Sequence, residues 1–217
     1  GMAKVANMPF SKFERAVLNA LDVDYNKISD RGKQIIDHLR GTRTIHVTSA
    51  KGTDLTFEIT GRKWMNDDGT LDDEDIANKD IGMNLPAGEV FVAPIEESAN
   101  GVAFFDVPTS YFGATSHNIK LTFKDGNVVD FKVERGEENF RKILENATGD
   151  KDKIAEFAMG TNPKATFITD ITQDEKVLGT VHIAIGDNKG PAYGGKNNSS
   201  LHWDLIMTKP TVETDGK

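Results

Sequence analysis

The stretch KLTFKDGNVVDFKV, residues 120–133, sets the fold class. Asp125-Gly126 lies between two runs that alternate apolar and polar residues. That dipeptide tolerates the positive φ angles of a tight two-residue turn, so the stretch predicts a β-hairpin. A second hairpin is predicted upstream, where TIHVTS (44–49) and LTFEITG (55–61) alternate with a period of two around Gly52. GEVFVAP (88–94) and VAFFDVP (102–108) read as further strands. ATFITDI (165–171), VLGTVHIAIG (177–186) and LHWDLIM (201–207) read as strands or buried turns.

Helices are predicted on either side of this strand-rich centre. Ser11 and Glu14 have the spacing of a capping box ahead of Phe13, Ala16, Val17, Ala20 and Leu21. DYNKISDRGKQIIDHLRG (24–41) puts Ile28, Ile35, Ile36 and Leu39 on one face and stops at Gly41. In GEENFRKILENAT (136–148), Phe140, Ile143, Leu144 and Ala147 follow helical spacing, and DKDKIAEFAMG (150–160) reads as a second, shorter helix. Antiparallel hairpins with segregated helices give an α+β fold. Residues 1–42 form its helical N-terminal extension and residues 43–217 its single α+β domain. The acid-rich DDGTLDDEDIANKD (67–80) reads as an exposed loop; it lacks the glycine and ligand register of an EF-hand.

Composition removes several function classes. Among 217 residues, 34 are acidic and 26 basic, with no Lys/Arg run, so no nucleic-acid partner is expected. No apolar run approaches the ~20 residues that span a bilayer, so no membrane partner is expected either. No signal peptide is apparent, and the expected location is cytoplasmic. The opening Gly1-Met2 reads as an expression scar. With no cysteine, any metal must be held by His, Asp and Glu.

SSLHWDLIM (199–207) then raises a chemical question. Positions i and i+2 of a strand share a face, so His202 and Asp204 emerge side by side while Leu201, Trp203 and Leu205 point the other way. Of the five histidines, His182 also lies in an apolar run, whereas His38, His46 and His117 read as surface residues. Imidazole and carboxylate together suit zinc, cobalt, manganese or ferrous iron. A buried, hydrogen-bonded core histidine is the competing reading of each. Glu89 places a charge at the mouth of an apolar strand. On spacing alone Glu156 reads as a solvated helix position and Glu175 as an ordinary loop residue. The chain carries no H-E-x-x-H, G-x-S-x-G, Walker or dinucleotide motif. The glycine-rich GDNKGPAYGG (186–195) leads into a strand, so it reads as a loop beside a site rather than a phosphate cradle.

The motifs GTDLTFEITGR, NLPAGEVFVAP…SANG, LTFKDGNVVDF, IAEFAMGTNP, LGTVHIAIGDN and GGKNNSSLHWDLIM, in that order, resemble the aminopeptidase T family of metallo-aminopeptidases. The resemblance runs from about residue 22 to the C-terminus. It implies a centre of two divalent ions, zinc or cobalt with manganese possible in their place, that activates a bridging water to cleave N-terminal residues from a peptide substrate. It assigns the ligands to Glu89, Glu156, Glu175, His182, His202 and Asp204, and makes Glu156 a bridging ligand. It further implies a homodimer. Either Glu89 or Glu175 would hold the substrate amine or act as base. Two departures stand out. The family's tyrosine after the first histidine has no clear match, Tyr193 being a weak candidate. Family members also carry an N-terminal α/β domain ahead of this region, where only about forty helical residues stand here. Two alternatives remain open. Ring-cleaving dioxygenases of dihydroxypyridines resemble the same family and keep His182, His202 and Asp204 as a 2-His-1-carboxylate iron set. The third reading is a non-catalytic metal-binding or dimerisation domain.

Overall fold

Asp125 and Gly126 both take positive φ, +48° and +78°, and Lys124 pairs with Asn127 across them, which makes the predicted two-residue turn. Glycine is required there for a second reason: a Cβ at Gly126 would stand 1.6 Å from the Glu96 carbonyl oxygen. These features come from a computed structural model that describes residues 1–71, 73–78, 82–111 and 113–216.

The chain opens with α1 (Met2–Val5), α2 (Phe10–Leu21) and α3 (Tyr25–Leu39). It continues through β1 (Thr44–Thr48), β2 (Asp54–Glu58), β3 (Met65–Asp67), α4 (Asp73–Asn78) and β4 (Glu89–Val92). The centre holds β5 (Asn100–Phe105), β6 (Thr109–Tyr111), β7 (Ala114–Lys124), β8 (Asn127–Arg135) and α5 (Glu137–Asn146). The last part holds β9 (Ile154–Gly160), α6 (Ile171–Asp174), β10 (Thr180–Gly186), β11 (His202–Thr208) and β12 (Thr211–Thr214). One sheet runs β12-β1-β2-β5-β7-β6, with β8 also paired to β7; the other runs β11-β10-β9-β4-β3. The named strand pairs are antiparallel, and the fold is α+β.

The two sheets share one core. Ile45, Phe57, Phe105 and Leu121 of the first meet Phe157, Ile183, Trp203 and Leu205 of the second. Phe57 and Phe157 rings lie 5.2 Å apart, and Phe140 of α5 stacks on Trp203 at 4.7 Å. α3 packs on β3 and β4 of the five-stranded sheet. It is tied there by Arg31, which donates to the Thr161 carbonyl at 2.6 Å.

Four local expectations are corrected. Residues 154–160 are a central strand, β9, not a helix: β4 and β10 take its backbone hydrogen bonds on both sides, and a strand buried on both faces shows no alternation to read. α2 starts at Phe10 with Pro9 as its N-cap, so Ser11 and Glu14 lie inside the helix and cap nothing. The acid-rich stretch carries α4; its residues 72, 79 and 80 lie outside the described residues. ATFITDI is neither strand nor turn at its end, where Ile171 opens α6 under an Asp170 cap that accepts from the Thr172 amide.

Candidate metal centre

The face of the five-stranded sheet that points away from the shared core gathers the charged residues. In β9 the regular register as far as Glu156 puts that residue on the face of Ala184 and His182, and a bulge beyond it, where Ile185 pairs with Ile154, leaves Ala155 as the extra residue. The bulge lets Ile154 enter the core together with Phe157, while Glu156 faces the opposite way by alternation with Phe157. Ala184 stands between Glu156 and Asp204 in the register, and Ala158 stands opposite His182. These small side chains leave room for the long ones beside them.

Glu175 arrives from a loop rather than a strand. Gly160 lets that loop lie on the sheet, since a Cβ there would meet the Val177 carbonyl oxygen at 2.1 Å. Backbone bonds hold the loop down: Asn162 N–H to Lys176 O at 2.8 Å, Leu178 N–H to Asn162 O at 3.1 Å and Gly179 N–H to Gly160 O at 3.1 Å. Glu175 and Glu156, expected at the surface from spacing alone, are both buried.

The structure thus brings together all six residues singled out in the sequence. Ligand atoms of Glu89, Glu156 and His182 lie within 4.8 Å of one another, as do those of Glu156, His202 and Asp204, and those of Glu175, His182 and Asp204. Glu156 faces both imidazoles: Oε1 is 3.5 Å from His182 Nε2 and Oε2 is 3.1 Å from His202 Nε2. His182 Nε2 is also 3.2 Å from Glu89 Oε2, and His202 Nε2 is 3.4 Å from Asp204 Oδ1. His202 Nδ1 lies 2.7 Å from the Asp187 carbonyl oxygen, which can only accept. The proton of a neutral His202 is therefore on Nδ1, and Nε2 presents a lone pair to the cluster. His38, His46 and His117 lie outside the three ligand groups.

Glu89 Oε2, Asp204 Oδ1 and His182 Nδ1 are buried without a hydrogen-bond partner. Orphaned oxygens of this kind cost stability unless something positive meets them, and N/O donors in this mixture suit a divalent cation of the zinc or cobalt type. The residues fit a metal.

Three further residues complete the site. Lys176 is wholly buried, and its Nζ meets Glu89 Oε1 at 2.6 Å, Glu175 Oε1 at 2.7 Å and Asp67 Oδ2 at 3.2 Å. Nothing in DEKVLG distinguishes this lysine from a loop charge, and Asp67 is equally mute in its polar strand. Tyr193 comes in from the glycine-rich loop, its ring 5.2 Å from Phe91 and 5.3 Å from His202. The loop is pinned at its base, where Arg62 donates to Gly194 O and Glu96 accepts from Lys196 N–H. The one sequence signal for Tyr193 is that the family's tyrosine has no clear match after His182.

The charges perturb one another. Burial pushes the Glu89 carboxyl up, but Lys176 and His182 outweigh it and bring it to about 2. Burial pushes Asp67 up to about 6 against the pull of Lys176, and raises Glu175 well above the carboxylate range. Burial would lower both imidazoles, yet Glu156 and Glu89 around His182, and Asp204 and Glu156 around His202, hold them well above their ordinary value. Burial, then Glu156 and Asp204, raises the Tyr193 hydroxyl, which keeps its proton.

The profile of a family described as thermophilic metalloprotease (M29) matches residues 4–217. The chain belongs to this M29 family. Among curated relatives, aminopeptidase 2 of Geobacillus stearothermophilus is 26% identical over 206 residues, covering 87% of this chain and 49% of that protein. Aminopeptidase T of Thermus thermophilus is 28% identical, covering 80% and 46%. This M29 chain spans about half the length of these curated relatives. The solved structure of wild-type AmpT from Thermus thermophilus superposes with a TM-score of 0.71 at 23% identity, covering 92% of this chain and 53% of that one. The 2,5-dihydroxypyridine dioxygenase of Pseudomonas putida KT2440 superposes at 0.70 with 18% identity, covering 93% and 59%. At these identities the likeness is one of fold. Among the described residues no helix of this M29 chain is long and apolar enough to cross a membrane.

Proposed function

We propose that this M29 chain is a metal-dependent aminopeptidase that removes N-terminal residues from peptides at a two-metal centre held by Glu89, Glu156, Glu175, His182, His202 and Asp204. The observation that carries the reading is Glu156, whose two oxygens face two different histidines. That is the geometry of a carboxylate shared by two cation positions. Charge supports it too: Asp67, Glu89 and Glu175 meet the Lys176 ammonium, and Glu156 and Asp204 lie with the histidines. With these five described carboxylates ionised and the imidazoles neutral, as cation ligands must be, four negative charges are left over to match two divalent ions.

Zinc or cobalt, when bound, supplies Lewis acidity toward a peptide carbonyl and brings the pKa of a water between the ions toward neutrality. The chain's own groups do the rest. His202 is oriented by the Asp187 carbonyl, so its ring cannot rotate away. Tyr193 covers His202 and offers an O–H at Glu156, a donor available to an oxyanion developing nearby. A cavity of ≈ 340 Å³ opens beside Glu89 and Asp67 with Met65, Phe91 and Tyr193 in its wall, and it receives the substrate's N-terminal residue. Glu89 and Glu175 are the carboxylates placed to hold the α-amine or to take a proton from water. The working form in this proposal is a cytoplasmic homodimer.

A mononuclear iron dioxygenase would use only His182, His202 and Asp204. Glu89 and Glu156 crowd the same space, which supports the hydrolase instead. Metal content per chain, measured by elemental mass spectrometry on protein purified without chelator, tests the proposal together with a panel of aminoacyl substrates. Two zinc or cobalt ions and aminopeptidase turnover are expected; one iron, or no metal after reconstitution, overturns it.

A further inference from the structure

Among the described residues Lys176 is the one ammonium inside a cluster rich in acids, and its surroundings define its role. An ammonium has three N–H donors, and three carboxylates, Asp67, Glu89 and Glu175, stand within 3.2 Å of its nitrogen. Its side chain is 0% exposed, so no substrate atom can reach it. What it does instead is divide the oxygens of its neighbours. Glu89 Oε1 is taken by Lys176 at 2.6 Å, whereas Glu89 Oε2 is the buried, unpartnered oxygen that faces His182 Nε2 at 3.2 Å. Glu175 likewise gives Oε1 to Lys176. The loop that carries Lys176 is seated on Gly160 and bonded through the Lys176 carbonyl, so the ammonium cannot retreat from this position.

We propose that Lys176 is a positioning residue that restricts Glu89 to one-oxygen ligation and so holds down the affinity of the cation position shared by Glu89 and His182. This rests on the two-metal reading above. Carboxylates bind cations through one oxygen or both, and the choice changes coordination number and strength. Without Lys176, both oxygens of Glu89 and of Glu175 become available, and one opposing charge leaves the site. The ion at Glu89 and His182 then binds more tightly and with more ligands, while the ion at Glu156, His202 and Asp204 is unaffected. A lysine that merely built the site would have the opposite effect on affinity.

The test uses the full chain, stripped with chelator and titrated with Co²⁺ by calorimetry and visible absorption. Wild type is expected to take two Co²⁺. Lys176→Met is expected to bind one of them at least about tenfold tighter, with weaker visible bands as the coordination number rises, and the other unchanged. Unchanged affinities and spectrum, or a loss of either ion, overturn the proposal. If Lys176→Met does not fold by circular dichroism, the double variant Lys176→Met/Asp67→Asn, which conserves the net charge of the site, is measured instead. One ion is then expected to bind tighter, with weaker visible bands, through the freed Glu89 oxygen alone, and unchanged binding overturns the proposal. Failure of both to fold also overturns it, because Lys176 would then serve folding alone. Absence of Co²⁺ binding in the wild type is a separate result, which removes the two-metal reading itself.

Discussion

The seven-stranded sheet shows one face to solvent, whereas the three strands β9, β10 and β11 of the five-stranded sheet are buried on both faces. In β2 every second residue is buried: Leu55 and Phe57 point inward, while Asp54, Thr56 and Glu58 are exposed. In β10 all seven residues are buried, and in β9 all but Met159. Charge therefore means different things in the two sheets. Glu58 on β2 is a solvated outward residue, and Glu156 on β9 is a carboxylate enclosed with two histidines. A carboxylate buried in this way costs several kcal/mol unless it is paired, and the partners of Glu156 are the two imidazoles.

The largest expected effect tests the core that the two sheets share. Phe157→Ala, which empties a fully buried ring site against Phe57 and Trp64, should lower unfolding free energy by about 3–5 kcal/mol in denaturant titration. A loss below about 1 kcal/mol would show that the sheets do not depend on one another. Next comes the contrast between equivalent charges. Glu156→Gln should cut the proposed aminopeptidase turnover by about 100-fold, near 2.7 kcal/mol, and reduce bound metal, while Glu58→Gln leaves both unchanged. Equal effects would erase the distinction between the faces. Gly160→Ala should cost about 1–3 kcal/mol by thermal melting and lower metal content as well, because the new methyl displaces the loop bearing Glu175. Full metal content in that variant would separate Glu175 from the centre.

The smallest effect belongs to the solvated sheet. Asp54 above all, and then Glu213, raise the pKa of His46 against the opposing effect of burial. A raised folded-state value contributes stability below the ordinary pKa of ~6.5 and loses it as pH rises through the folded value. His46→Gln should therefore destabilise by less than about 1 kcal/mol near pH 5.5 and by nothing near pH 9. A loss that is the same at both values would place the role of His46 in packing, not charge.

Legibility in the sequence followed the same division. The hairpin around Asp125-Gly126 and the alternation of β1 and β2 could be read directly, because a turn and one wet face leave a period of two in the residues. In β11, His202 and Asp204 could be paired on one face for that reason. IAEFAMG, by contrast, reads as a helix from its sequence: with both faces dry the only polar residue is Glu156, and its helical and extended readings differ by nothing that local spacing records. Glu156 and Glu175 entered the ligand set only through resemblance to a family. Lys176 and Asp67 were missed altogether.

What the sequence determined by itself was the α+β class, the turns, the residue types available to a metal and the exclusion of thiolate chemistry, since each depends on neighbours in the chain or on composition. The tertiary structure decided which charges are buried and which oxygens meet. Pairing of β9 with β10 set Glu156 on the face of His182, Gly160 let Glu175 and Lys176 down onto the sheet, and the glycine-rich loop carried Tyr193 over His202. Those meetings join residues far apart in sequence, and the burial that gives them their energy exists only once both sheets and the loops have closed around them.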